Sequence, residues 1–85
     1  MSVKKILINW LKGTNHVPFP SHLIEVEVPR YGYSIYGKQH SPGTYSRAFR
    51  SLKEKQVELL EYGLKIEKVE NKNSNEDWWQ TKLAY

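Results

Sequence analysis

Arg47 and Arg50, three residues apart with Thr44 and Ser46 beside them, are the side chains of this sequence best suited to recognition chemistry. A guanidinium bonds a guanine edge or a phosphate bidentately, and short hydroxyls reach phosphate oxygens. Cations and small polar groups along one side of a rigid rod therefore suit the groove and backbone of a nucleic-acid duplex. Ser41, Pro42 and Gly43, just ahead, leave backbone donors at a helix amino terminus, which favours an anion. The same residues also describe an ordinary solvated helix start, with Arg50 pairing to Glu54 one turn on. Enzymatic chemistry has less to work with. His16, His22 and His40 are scattered, and none stands at a recognisable ligand spacing from a carboxylate. There is no glycine-rich phosphate loop, no nucleophile elbow and no acidic pair placed for acid–base work. No catalytic residue, no metal site and no cofactor is expected, and the chain does not read as an enzyme.

The elements that must position these residues follow from capping and periodicity. Ser41 caps a helix and Pro42 fits its first position, while Tyr45, Ala48, Phe49 and Leu52 recur on the side away from Thr44, Arg47, Arg50, Ser51 and Glu54. A helix over 42–55 is predicted, with an extension to 62 if the rhythm of Gln56, Leu59 and Leu60 carries through a break near Lys55–Val57. Ser2 caps an earlier helix, 3–12, whose inner stripe is Val3, Ile6, Leu7, Trp10 and Leu11; Gly13 is the expected left-handed residue at its end. Val17 and Phe19 alternate with prolines as a short strand, 17–19. The run 21–28 reads either as a half-buried strand or as a short helix capped by Ser21, and helix is preferred. Pro29–His40, rich in Gly and Tyr, reads as a surface loop.

Gly63 suits the left-handed exit from a helix. Beyond it, two strand-like runs, 64–70 and 77–84, flank the turn-forming cluster Asn71–Asn75, so a terminal β-hairpin is predicted. Thr81, Trp79, Leu83 and Tyr85 fall on one face of its second strand. Leu64 and Ile66 share a face of the first, and a bulge near Lys68 would bring Val69 into phase.

Eighty-five residues suit a single small domain burying roughly 60% of its unfolded surface. Thirteen Lys and Arg against nine Asp and Glu leave a net charge of +4, which favours a polyanionic partner. The chain contains no cysteine, so neither disulfides nor thiolate ligands arise and a cytoplasmic location is the default. The apolar run Ile6–Leu11, broken by Asn9, is too short for a signal or a membrane span.

In order, helix, short strand, helix, loop, helix and hairpin resemble a winged helix-turn-helix domain, an α+β fold of three helices with a small antiparallel sheet and a C-terminal hairpin wing. Ser41–Leu52 as the third helix, the Gly63–Glu67 entry to the hairpin, the polar Asn71–Asn75 tip and Trp78–Trp79 carry the likeness. It is also similar to the small orphan winged-helix proteins of bacteriophages, whose location would be the host bacterial cytoplasm. The long Pro29–His40 segment departs from the pattern. The resemblance implies a transcriptional regulator or replication accessory factor that lays its third helix in the major groove of double-stranded DNA. Ser41, Thr44, Ser46, Arg47 and Arg50 are then the contact residues, with Lys38, Lys53 and Lys72 on phosphates.

Rival readings stay open. The scaffold also suits a protein-binding module that inhibits or recruits a host factor, with Tyr33, Tyr36 and Trp78 as contact residues, or a homodimer. The tyrosines and cations of 29–40 invite single-strand stacking, but such platforms sit on sheet or barrel faces and this chain is too helical. The preferred role of those tyrosines is to pin the segment onto a small core.

Overall fold

The computed structural model describes residues 2–85. Helix α1, Val3–Gly13, starts where Ser2 Oγ accepts the Lys5 N–H at 3.2 Å. Ile6, Leu7, Ile8, Trp10 and Leu11 are all buried, because two later helices pack on α1 and Phe19 meets Trp10 edge-on. Gly13 stays inside the helix rather than ending it in a left-handed turn. The left-handed residue is His16 (φ 67), whose N–H is held by the Thr81 carbonyl at 2.7 Å. A tertiary hydrogen bond, absent from any local signal, thus sets the reversal. Strand β1 is Phe19–Pro20, starting two residues later than the expected 17–19 and leaving Val17 exposed.

The largest departure from the sequence reading is α2. It runs Leu23–Tyr36, straight through Pro29, so most of the expected loop 29–40 is helical. Proline and glycine inside a helix cost about 3 and about 1 kcal/mol relative to alanine, and packing overrides both. Ile24, Val28 and Gly32 form a buried row at four-residue spacing. Gly32 is there for close approach rather than for a turn, since a Cβ at that position would collide with the Tyr45 hydroxyl of the neighbouring helix. Gly37 (φ 64) ends the helix in the left-handed region, donating to Tyr33 O at 2.9 Å while Lys38 N–H reaches Gly32 O at 3.2 Å, so two of the last carbonyls are satisfied by the turn. Ser21 does not cap α2. Its Oγ accepts from Trp79 Nε1 and donates to the Asp77 carbonyl, both at 2.8 Å, tying the helix entrance to the hairpin.

Helix α3, Pro42–Glu54, buries Tyr45, Ala48, Phe49 and Leu52. The chain breaks at Lys55 and resumes as the single turn α4, Val57–Leu60, so α3 does not extend to 62. Gly63 (φ 71) then turns the chain into β2, Leu64–Val69, which pairs in regular antiparallel register with β3, Trp78–Leu83. No bulge interrupts the register near Lys68. Val69 stays on the outer face opposite Trp78, and the two apolar groups pair there instead of forcing a kink. The sheet order is β1–β3–β2. Thr81 is the fully buried residue of β3, whereas Leu83 and Tyr85, placed on the same face by the sequence pattern, are 55% and 92% exposed. The free edge of β2 is guarded by Gln56, whose carboxamide bonds both Ile66 N–H and Ile66 C=O at 3.0 Å like a one-residue strand.

The described residues thus form an α+β fold of four helices and a three-stranded antiparallel sheet around one cluster of buried side chains. No helix of the described residues is long and apolar enough to cross a membrane.

Candidate functional site

Charge is distributed unevenly over this scaffold. The stretch 37–56 carries Lys38, Arg47, Arg50, Lys53 and Lys55 against Glu54 alone, a net of +4, equal to the net charge of the whole chain. Arg47 and Arg50 are exposed on α3, and among the described residues neither forms an ion pair, so the Arg50–Glu54 pairing does not occur. The Arg47 guanidinium lies back over Gly43, 4.0 Å from where a Cβ would stand.

The hydroxyls are less available than the sequence implied. Ser41 Oγ accepts the Thr44 N–H at 3.3 Å and is 2.7 Å from Thr44 Oγ1, so both groups are engaged in capping the helix. Ser46 is half-buried and faces a cleft of about 280 Å³ between α3, the start of α2 and the hairpin. Arg50 and Lys53 line this cleft with Glu25 and Glu76, and His22 Nδ1 stands 2.6 Å from Glu76 Oε1 across it. Mixed charge makes the cleft itself a poor anion site, and the uncompensated positive potential lies on the exposed ridge of α3.

Lys53 holds α3 against the sheet. Its ammonium sits 4.6 Å from the Phe49 ring centre and 4.0 Å from that of Trp79, and burial there lowers its pKa. This cation–π seat, worth about 0.5–2 kcal/mol, commits Lys53 partly to structure. The hairpin lysines are committed further. Lys82 and Lys65 both bond Glu67, at 2.9 and 3.1 Å, and Lys68 bonds Asp77 at 3.3 Å. The Lys82 hydrogen bond, then that of Lys65, holds the Glu67 carboxyl below its usual range. Lys72, at the Asn71–Asn75 turn, is the hairpin lysine that makes no ion pair among the described residues.

Lys38 and the candidate interface residues are not gathered with the α3 ridge. Lys38 lines a second cleft, of about 330 Å³, with Arg30, Tyr33 and His40. Tyr33 is 59% exposed. Tyr36 instead ties α2 to α1, accepting from Asn9 Nδ2 at 2.8 Å and lying 3.4 Å from the Tyr31 hydroxyl. The Tyr36 hydrogen bond, with burial, pushes Tyr31 up to about 12, while the Tyr31 and Asn9 hydrogen bonds lower Tyr36. Trp78 is on the outer face of the sheet, half-buried, with its Nε1 shielded and unbonded. The three aromatic groups therefore occupy three separate places.

The sequence reading missed Arg30, Gln56 and the His22–Glu76 contact. Arg30 and Tyr33 stand one helical turn apart, a spacing that gains meaning only once the helix is carried through Pro29. His22 and Glu76 are joined by the fold alone.

No protein-family model, curated protein or solved structure matches this chain.

Proposed function

We propose that this chain is a small duplex-DNA-binding protein of the winged helix-turn-helix kind, reading the major groove with α3. The element order and the β1–β3–β2 sheet support that architecture. The observation that carries the function is the concentration of positive charge on 42–56, where Arg47, Arg50, Lys53 and Lys55 meet Glu54 alone, with Arg47 and Arg50 unpaired on a helix whose opposite face is core. At about 20 Å in length, α3 can lie within a groove about 12 Å wide. Arg47 and Arg50 address base edges there, and Lys55 and the free part of Lys53 meet the flanking backbone. The self-neutralised hairpin contributes Lys72 at most.

Anisotropy with a labelled random duplex at low salt tests this proposal. Binding is expected, and Arg47→Ala at matched folding should weaken it by about 1 to 3 kcal/mol. Undiminished binding by that variant moves the contact surface elsewhere. A protein partner is the second reading, favoured by exposed Val57, Leu60, Leu83 and Tyr85 around α4 and the end of β3. Absence of duplex binding, together with a discrete partner in a pull-down lost on Leu83→Ser, would select it.

A further inference from the structure

The second cleft has features that duplex reading does not need. Its walls are Pro29, Arg30 and Tyr33 from α2 and Lys38, Gln39 and His40 from the turn beyond, with no carboxylate among them. Gly37, in the left-handed region, folds the turn back, and the Lys38 N–H bond to Gly32 O fixes Lys38 beside the last turns of α2. Arg30 and Lys38 form no ion pair among the described residues, so two cations converge on one concavity without a counter-charge. The exposed Tyr33 ring lines the same cleft and offers a flat apolar face. His40 is fixed edge-on to Tyr45, ring centres 5.8 Å apart. Its Nε2 is shielded from solvent and unbonded, so Nδ1 is the ring nitrogen left to meet a ligand.

We infer that this cleft is a site for a single nucleotide, with Arg30 and Lys38 on the phosphate and Tyr33 stacked on the base. Paired cations neutralise a phosphate dianion, Arg bonds it bidentately, and ring stacking rewards the attached base. A bare phosphate satisfies only half of the site and a nucleoside the other half. The cleft does not depend on α3 entering a groove. Its ligand is either a free mononucleotide or the 5′-phosphorylated end of a strand, since both present a phosphate beside a base.

The test is an amide chemical-shift titration of the full chain with adenosine 5′-monophosphate, adenosine, inorganic phosphate, a short 5′-phosphorylated single strand and a blunt duplex. The monophosphate should shift residues 29–40 and bind at least about tenfold more tightly than adenosine or phosphate. Arg30→Gln and Tyr33→Ala, both at exposed positions, should each weaken it by about tenfold with the remaining spectrum unchanged. A strand that binds about tenfold tighter than the monophosphate assigns the site to strand ends, and equal affinity assigns it to free nucleotides. No shift in 29–40 at millimolar monophosphate, or an equal response to phosphate alone, overturns the inference. The duplex arm is read separately at 41–54, so failure of duplex binding leaves the cleft's result distinct.

Discussion

The α3 ridge and the β2–β3 hairpin handle nearly equal numbers of cations in opposite ways. Across 64–83, Lys65, Lys68, Lys72 and Lys82 meet Glu67, Glu70, Glu76 and Asp77, and three of the lysines lie within 3.3 Å of an acid. Across 42–56 Arg47, Arg50, Lys53 and Lys55 meet Glu54 alone, and Arg47 and Arg50 stay unpaired among the described residues. A polyanion pays little to approach the second region, whereas the first must break internal ion pairs before it can offer charge. Counting lysines therefore misjudges the hairpin; which residues face each other across the strands decides its potential.

Neutralising each region in turn gives the largest expected contrast. Arg47→Ala and Arg50→Ala should each cost about 1 to 3 kcal/mol of duplex affinity. Lys65→Gln with Lys82→Gln should change it by less than about threefold, near the worth of exposed charge contacts. Equal losses in an anisotropy titration would erase the distinction between ridge and hairpin.

The ridge is only as rigid as the α2–α3 packing beneath it. Gly32→Ala drives a methyl group into the Tyr45 hydroxyl, and Tyr45 is fully buried with nowhere to swing. A loss of about 1 to 3 kcal/mol in denaturant unfolding is expected, with native-state duplex affinity falling as α3 loosens. A neutral result would mean that the helices stand farther apart. Gln56→Ala probes the hairpin side. It leaves Ile66 N–H and C=O without their partner and should cost about 1 to 2 kcal/mol of stability, while affinity per folded molecule stays unchanged. Loss of affinity without loss of stability would tie the hairpin edge to binding.

The smallest effect concerns Glu67. Its carboxyl titrates below the usual range of about 4.5 in the folded chain, so its ion pairs stabilise the fold above pH 4.5 and lose that contribution as pH falls through the lowered value. The stability difference between the native chain and Glu67→Gln should be present at pH 7 and vanish in acid. At neutral pH the same substitution frees Lys65 and Lys82 and should raise duplex affinity slightly at low salt. A stability difference that grows in acid would contradict the pairing.

How much of this was legible in the sequence depends on how local each determinant is. The α3 cap and stripe are written in Ser41, Pro42 and four core residues a few positions apart, and the hairpin in a cluster of Asn residues between β-forming runs. Helix α2 was misread because Pro29 and Gly32 signal a loop locally, while their tolerance depends on Tyr45 from another helix. The reversal at His16, the guard at Gln56 and the pairing of Glu67 with Lys82 were hidden for the same reason, since each needs a register or a contact between distant elements. The second cleft was half visible: its tyrosines and cations stood out, but as a loop their geometry had no meaning.

The most direct test of the α3 ridge as the duplex-binding surface is the salt dependence of binding. With Lys38 in the second cleft and Lys53 partly committed to its aromatic seat, about three cations of the ridge, Arg47, Arg50 and Lys55, remain to displace counterions, and the log–log slope should be near −2.7. That slope should persist in the Lys65→Gln, Lys82→Gln variant and shrink in the Arg47→Ala, Arg50→Ala variant. A flat salt response, or a slope that shrinks only in the hairpin variant, would contradict the account.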